Sequence, residues 1–234
     1  DTIIVGQSLG TEALAAVGST GSLNFLVNGF STGIAGGFAV LPAQFFGAKD
    51  EKRLKKSVGQ AILLCLFFTV LLTALSVIFT RPVLVLMKTP ENIIGMADVY
   101  IKTIFWGICA TILYNMCSCV IRALGDSKTP LYFLILASFL NIGLDLLFII
   151  VFKWGVFGAA FATVLSQGVS GILCVIYALK KYSILHLSKE DFKPDFSMMW
   201  KHLAIGLPMA FQFSITAIGT IVLQSALNTF GSDK

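Results

Sequence analysis

The run VGQAILLCLFFTVLLTALSVIF, residues 58–79, contains no charged residue. As an α-helix it would be about 33 Å long, enough to cross the roughly 30 Å hydrocarbon core of a bilayer. Such runs recur along the whole chain, and a soluble fold has nowhere to bury them all. Helices are expected over about 12–46, 93–121, 129–152, 156–179 and 199–230 as well, and residues 1–9 read as the end of a first helix. In lipid, backbone N–H and C=O groups must be satisfied within their own segment, so helices are the expected element throughout. Composition agrees: 56% of the 234 residues are hydrophobic and 12% are charged, against about 25% charge in soluble domains. The fold class expected is all-α integral membrane. Asp1 stands first with no basic segment or cleavage site before the apolar run, so the chain is expected to be a piece of a longer one.

The charges sort by loop. Twelve of the seventeen Lys and Arg fall in GAKDEKRLKK, RALGDSKTP and KKYSILHLSKEDFKPDFSMMWK; the other five lie in or near the alternate set of loops. Positive charge is retained on the cytoplasmic side. Loops 47–57, 122–129 and 180–198 are therefore expected to face the cytoplasm, in a multi-pass protein of the cell membrane whose first helix runs outward. The net charge of +5 records this topology. It forms no stripe with interleaved aromatics, so the expected partner is the lipid bilayer and not nucleic acid. GDSKTP, residues 125–130, reads as a turn into a helix, with Ser127 or Thr129 as the cap and Pro130 in the first turn.

Several chemistries find no support. Cys65, Cys109, Cys117, Cys119 and Cys174 all lie in apolar spans, and Cys117-Ser-Cys119 lacks the spacing of a zinc site. His186 and His202 have no metal-spaced partners, and SKTP is not a phosphate loop. No cofactor, no catalytic residue and no use of ATP is expected. A membrane enzyme should gather His, Asp or Ser near one interface, which is not seen; a membrane scaffold stays open as a non-transport alternative.

Polar residues inside the spans are the informative ones. Asp145 lies within LNIGLDLLFII, and Asn141 lies one turn earlier on the same helix face. A charge at the bilayer centre costs about 2.5–3.5 kcal/mol and is functional by default. Together the two residues offer carboxylate and amide oxygens to one point, which suits Na⁺ or a proton. The structural alternative is an Asn141 that bridges helices beside a protonated, hydrogen-bonded Asp145. Asp1 precedes an apolar run and falls inside the first span. Asn24 and Asn28, on a Gly-rich helix, are candidates to line a cavity, as are Gln44, Gln167 and Gln212; Gln60 and Asn115 read as helix–helix contacts. Pro42 and Pro208 are expected to break or bend their helices.

Six segments resemble the multidrug and toxic compound extrusion (MATE) family, of the bacterial NorM/DinF-like kind. In order they are DTIIVGQSLGTEALAAVG, LPAQFFGAKDEKRL, RALGDSKTP, NIGLD, GAAFATVLSQ and GLPMAFQ. The resemblance implies a twelve-helix transporter of two six-helix lobes. Residues 1–181 would be the N-lobe with its first helix partial, 182–198 a cytoplasmic linker, and 199–234 the first helix of a C-lobe otherwise absent. It implies a Na⁺- or H⁺-coupled antiporter for small organic, mostly cationic, substrates. The family's N-lobe coupling residues look like Asp1, Asn141, Asp145 and Thr163 here, with Na⁺ as the candidate metal; Thr163 enters only through the resemblance. Leu124 stands where some relatives carry an acid, and other relatives place coupling in the C-lobe. A lipid-linked oligosaccharide flippase of the same wider superfamily is the alternative; the near absence of Lys and Arg inside the spans argues against it.

Overall fold

Helix ends follow local capping chemistry more closely than they follow the limits of the apolar runs. The structure, a computed structural model, describes residues 2–228, with side chains to residue 223, and every regular element among them is helical. α5 (Glu51–Leu86) outruns its expected span at both ends. Asp50 accepts a hydrogen bond from the Arg53 N–H at 3.0 Å, so the helix starts in the charged turn and not at Val58. The single helix expected over 12–46 is divided into α2 (Thr11–Ser19), α3 (Gly21–Phe38) and α4 (Val40–Gly47), following α1 (Thr2–Leu9). Pro42 sits in the first turn of α4 and has no N–H to bond the Phe38 carbonyl; the break lies at Ala39, in the turn before it, where a proline interrupts a helix.

The helix expected over 93–121 is also two, α6 (Glu91–Trp106) and α7 (Ile108–Ala123), bent by 45° at Gly107. A Cβ on Gly107 would lie 2.2 Å from Val164 Cγ2, so the bend passes its neighbour only because the residue is glycine. α8 (Lys128–Asp145) runs on into a π-helix, Leu146–Val151. α9 (Gly155–Lys181) and α10 (Phe196–Asn228) complete the described residues, and Pro208 is carried inside an unbroken α10. Among the described residues, five helical segments are long and apolar enough to cross a membrane, α3 with α4 counting as one and α8 with its π turn as another, and the bent α6–α7 pair makes a sixth.

α9 is the hub. Its buried face is built of small residues, among them Gly158, Ala159, Ala162, Ser166 and Gly171, which let α6, α7 and α8 approach closely. α3 and α10 form the most extensive pairing. A Cβ on Gly33 would lie 2.6 Å from Ala210 Cα, and one on Gly37 would lie 2.3 Å from Gly206 Cα, so the two backbones are in direct contact. Large apolar side chains such as Phe67, Val70 and Ile78 of α5 are exposed, as a surface solvated by lipid requires.

The 182–195 connection is fastened to α5. The buried Gln60 amide donates to the carbonyls of Asp191 and Lys193, each at 2.9 Å, and its carbonyl accepts from Asp195 N–H at 3.0 Å. Beside it, Ser57 Oγ and His202 Nε2 are 3.1 Å apart and both residues are fully buried. Gln60 is thus a clasp for a loop and not helix–helix glue.

The turn before α8 is capped by Asp126, not by Ser127 or Thr129. Its carboxylate accepts from Thr129 N–H at 3.0 Å, Thr129 Oγ1 at 2.7 Å, Lys181 Nζ at 2.7 Å and Tyr182 OH at 3.0 Å. The Lys181 ammonium first, then the Thr129 donors, hold the Asp126 carboxyl well below the usual carboxylate range. Because the native value is depressed, the stabilisation is complete above the unfolded-state value of about 3.9 and is lost as pH falls below it. Asp126→Asn is therefore expected to lower the melting temperature at neutral pH, with the gap to wild type closing as the medium is acidified. A gap of constant size across that titration would show that the carboxylate charge plays no part.

Candidate functional site

The bend at Gly107 opens a polar cavity of about 300 Å³ inside the helical lobe. Below the bend, α6 supplies Tyr100 and Ile104; above it, α7 supplies Thr111, Tyr114 and Asn115. α3 adds Asn24, Asn28 and Thr32, which lie four residues apart and so share one face. α9 contributes Thr163, Val164 and Gln167, and α8 contributes Leu134. Asn28 Nδ2 donates to Asn24 Oδ1, and Asn115 Nδ2 donates to Thr32 Oγ1 at 3.3 Å, tying α7 to α3. Tyr114 OH donates to the Pro130 carbonyl at 2.9 Å, which fixes α7 against the start of α8.

The Asn141–Asp145 pair of α8 adjoins this cavity through α9. Asn141 Nδ2 donates to Thr163 Oγ1 at 3.4 Å, and Thr163 lines the cavity while donating to its own helix at Ala159 O, 3.1 Å away. Asp145 is fully buried, at the last residue of α8 before the π turn. Single π turns are found often at functional sites, because the inserted residue re-aims the side chains beside it. Asn141, Asp145 and Thr163 can each offer an oxygen to a hard cation, Asn141 with its amide turned to present Oδ1. Among the described residues, no three His, Cys, Asp or Glu come together, so a site for a soft transition metal is not formed there.

Asp1 lies outside the described residues. Asn24, Asn28, Gln167 and Thr163 meet around the cavity, whereas Gln44 and Gln212 are exposed and lie away from it. Gln212 is two residues past Ala210, whose face is held against α3, and therefore points to the opposite side of α10. Tyr100, Thr32 and Thr111 were not singled out by the sequence, since Tyr and Thr are ordinary in membrane helices. The signal that could have found them was Gly107, which sets both halves of the bent helix around one space.

Residues 1–147 match the MatE family model. The probable multidrug resistance protein YoeA of Bacillus subtilis (strain 168) is 34% identical over 236 residues, covering 98% of this chain and 51% of that protein. The probable multidrug resistance protein NorM of Thermotoga maritima is 28% identical over 240 residues, covering 100% of this chain and 51% of that one. Among solved structures, the inward-facing conformation of a multidrug resistance MATE family transporter of the MOP superfamily superposes with a TM-score of 0.91 at 26% identity, covering 99% of this chain and 52% of its own. The chain spans about half the length of the curated relatives it matches. From a lobe of membrane-length helices, matched in sequence over most of its length and in fold throughout, it follows that this chain belongs to the MatE family of multi-pass membrane transporters.

Proposed function

We propose that this lobe is half of a cation-coupled antiporter that exports organic cations and other amphipathic compounds by alternating access. The observation that carries the reading is the placement of a fully buried Asp145 on the face of α8 whose Asn141 meets Thr163 at the wall of a polar cavity. A carboxylate inside a span is costly to keep ionised, which suits it to trade Na⁺ or a proton. Na⁺ or H⁺ bound there competes with a cationic drug for the same charge, which gives exchange without ATP. The ion shifts the lobe between packings only by its differential affinity for them. The π turn from Leu146 offers a place where helix register can change as Asp145 is loaded and emptied. The cavity lining favours this over a flippase for anionic lipid-linked sugars, because among the described residues it contains no Lys or Arg.

The test uses the full-length protein in cells stripped of other efflux pumps. Ethidium efflux is followed under imposed Na⁺ and pH gradients in turn. One of the two gradients is expected to drive efflux and thereby name the ion. Efflux indifferent to both gradients would sink the antiport mechanism.

A further inference from the structure

Two further cavities meet at His186, on the face that carries the basic loops. The first, about 540 Å³, lies between α5, α7 and α9 and is apolar, walled by side chains such as Ile62, Cys117, Val175 and Leu179. Leu187 and Phe192 of the 182–195 connection close it. The second, about 850 Å³, begins one turn earlier along α5 and is ringed by charge. Its acids are Glu51, Glu190, Asp191 and Asp195; its bases are Lys52, Lys55, Lys56 and Lys193.

Most of that charge is already matched. Lys56 pairs with Asp195 at 2.5 Å and Lys193 with Glu190 at 3.5 Å, while the Asp191 carboxylate accepts from Ser188 N–H and Oγ at 2.7 and 2.8 Å. Among the described residues, Lys52 and Lys55 form no ion pair; the acids without one beside them are Glu51 and Asp191, the latter turned to its Ser188 donors. The connection that forms the shared wall is fixed by the Gln60 clasp. It also passes over Gly59, whose Cβ would lie 2.4 Å from Asp191 O. The paired cavity is thus a built feature, apolar at one end and at the other ringed by equal numbers of acids and bases, with Lys52 and Lys55 on a segment, 49–56, that carries five bases against two acids. Phe196, at the edge of the second cavity, and Trp200, one turn further along α10, are strongly exposed, as aromatics at headgroup level are.

We propose that the paired cavity binds one anionic phospholipid from the leaflet on the basic-loop side. An acyl chain lies in the apolar part, and the phosphate sits at Lys52 and Lys55. An exported cation would be repelled by the same lysines, and a zwitterionic lipid would gain less from them.

Purified full-length protein in detergent is titrated with phosphatidylglycerol and, separately, with phosphatidylcholine, and bound lipid is counted by native mass spectrometry. One phosphatidylglycerol is expected to be retained under conditions that strip phosphatidylcholine. The double variant Lys52→Gln/Lys55→Gln is expected to weaken it about 25-fold, at about fivefold for each lysine near the surface. Val175→Trp, which fills the apolar part, should remove it as well. Lys49→Gln, exposed and outside both cavities, should leave binding unchanged, and the melting temperature checks that each variant is folded. Equal retention of the two lipids overturns the proposal. So does binding by the lysine double variant within about twofold of the parent. Displacement of the lipid by ethidium assigns the cavity to substrate and overturns it equally.

Discussion

Asp145→Asn is expected to reduce ethidium efflux from pump-stripped cells to background while the protein stays inserted and folded. The substitution keeps shape and volume and removes only the ability to carry charge. Asp145 is fully buried inside a span, where an ionised carboxylate costs about 2.5–3.5 kcal/mol on insertion scales. The melting temperature of the variant checks that it is folded. Loss of transport without loss of stability is the signature of a site. A purely structural Asp145, protonated and hydrogen-bonded, is mimicked well by Asn and would leave efflux intact. Full efflux by the Asn variant would therefore remove Asp145 from coupling. Thr163→Val is expected to have a smaller effect, because its contact with Asn141 is long at 3.4 Å. Gln212→Ala, exposed on α10 and away from the cavity, should leave efflux unchanged.

What could be read from the sequence was whatever broke the apolar pattern. Asp145 and Asn141 stood out because a carboxylate and an amide have no cheap place in lipid. Thr163 did not, because a hydroxyl in a membrane helix is usually satisfied by its own backbone, and Thr163 does bond Ala159 O. Its position beside Asn141 depends on how α8 meets α9, which no local pattern records. Helix existence was legible and helix continuity was not: hydropathy runs straight through Gly107, where the chain turns by 45°. Gln60 illustrates the same limit from the other direction. It is as polar as Gln167 and as deep in an apolar run, yet it fastens a loop 131 residues away. The glycines at 29, 33 and 37 and the small residues at 206 and 210 could have been read as two small-residue seams. That they face each other is a fact of the tertiary structure alone.

That seam gives the second large effect. Gly33→Ala and Gly37→Ala are expected to destabilise the protein by about 1–3 kcal/mol each, the usual cost of forcing extra atoms into a packed contact. Each added methyl would meet backbone: Ala210 Cα at 2.6 Å in one case and Gly206 Cα at 2.3 Å in the other. Carbon atoms rest about 3.5–4.0 Å apart, and neither backbone can rotate aside. α3 and α10 must separate, and the neighbouring contacts, such as that of Gly29 with Phe213 Cβ, loosen with them. Gly36 is the internal control. Its Cβ would rest 3.6 Å from Met209 Cε, an ordinary contact with the free end of a flexible side chain. There the only change is a better helix former, worth about 0.5–1 kcal/mol in favour of Ala. Thermal melts of the three single variants should therefore fall at 33 and 37 and hold or rise at 36. Bulkier Gly33→Leu should yield no folded protein. A fall of equal size at all three positions would mean that the helix needs its glycines for flexibility, and that close approach of α3 and α10 is not what they provide.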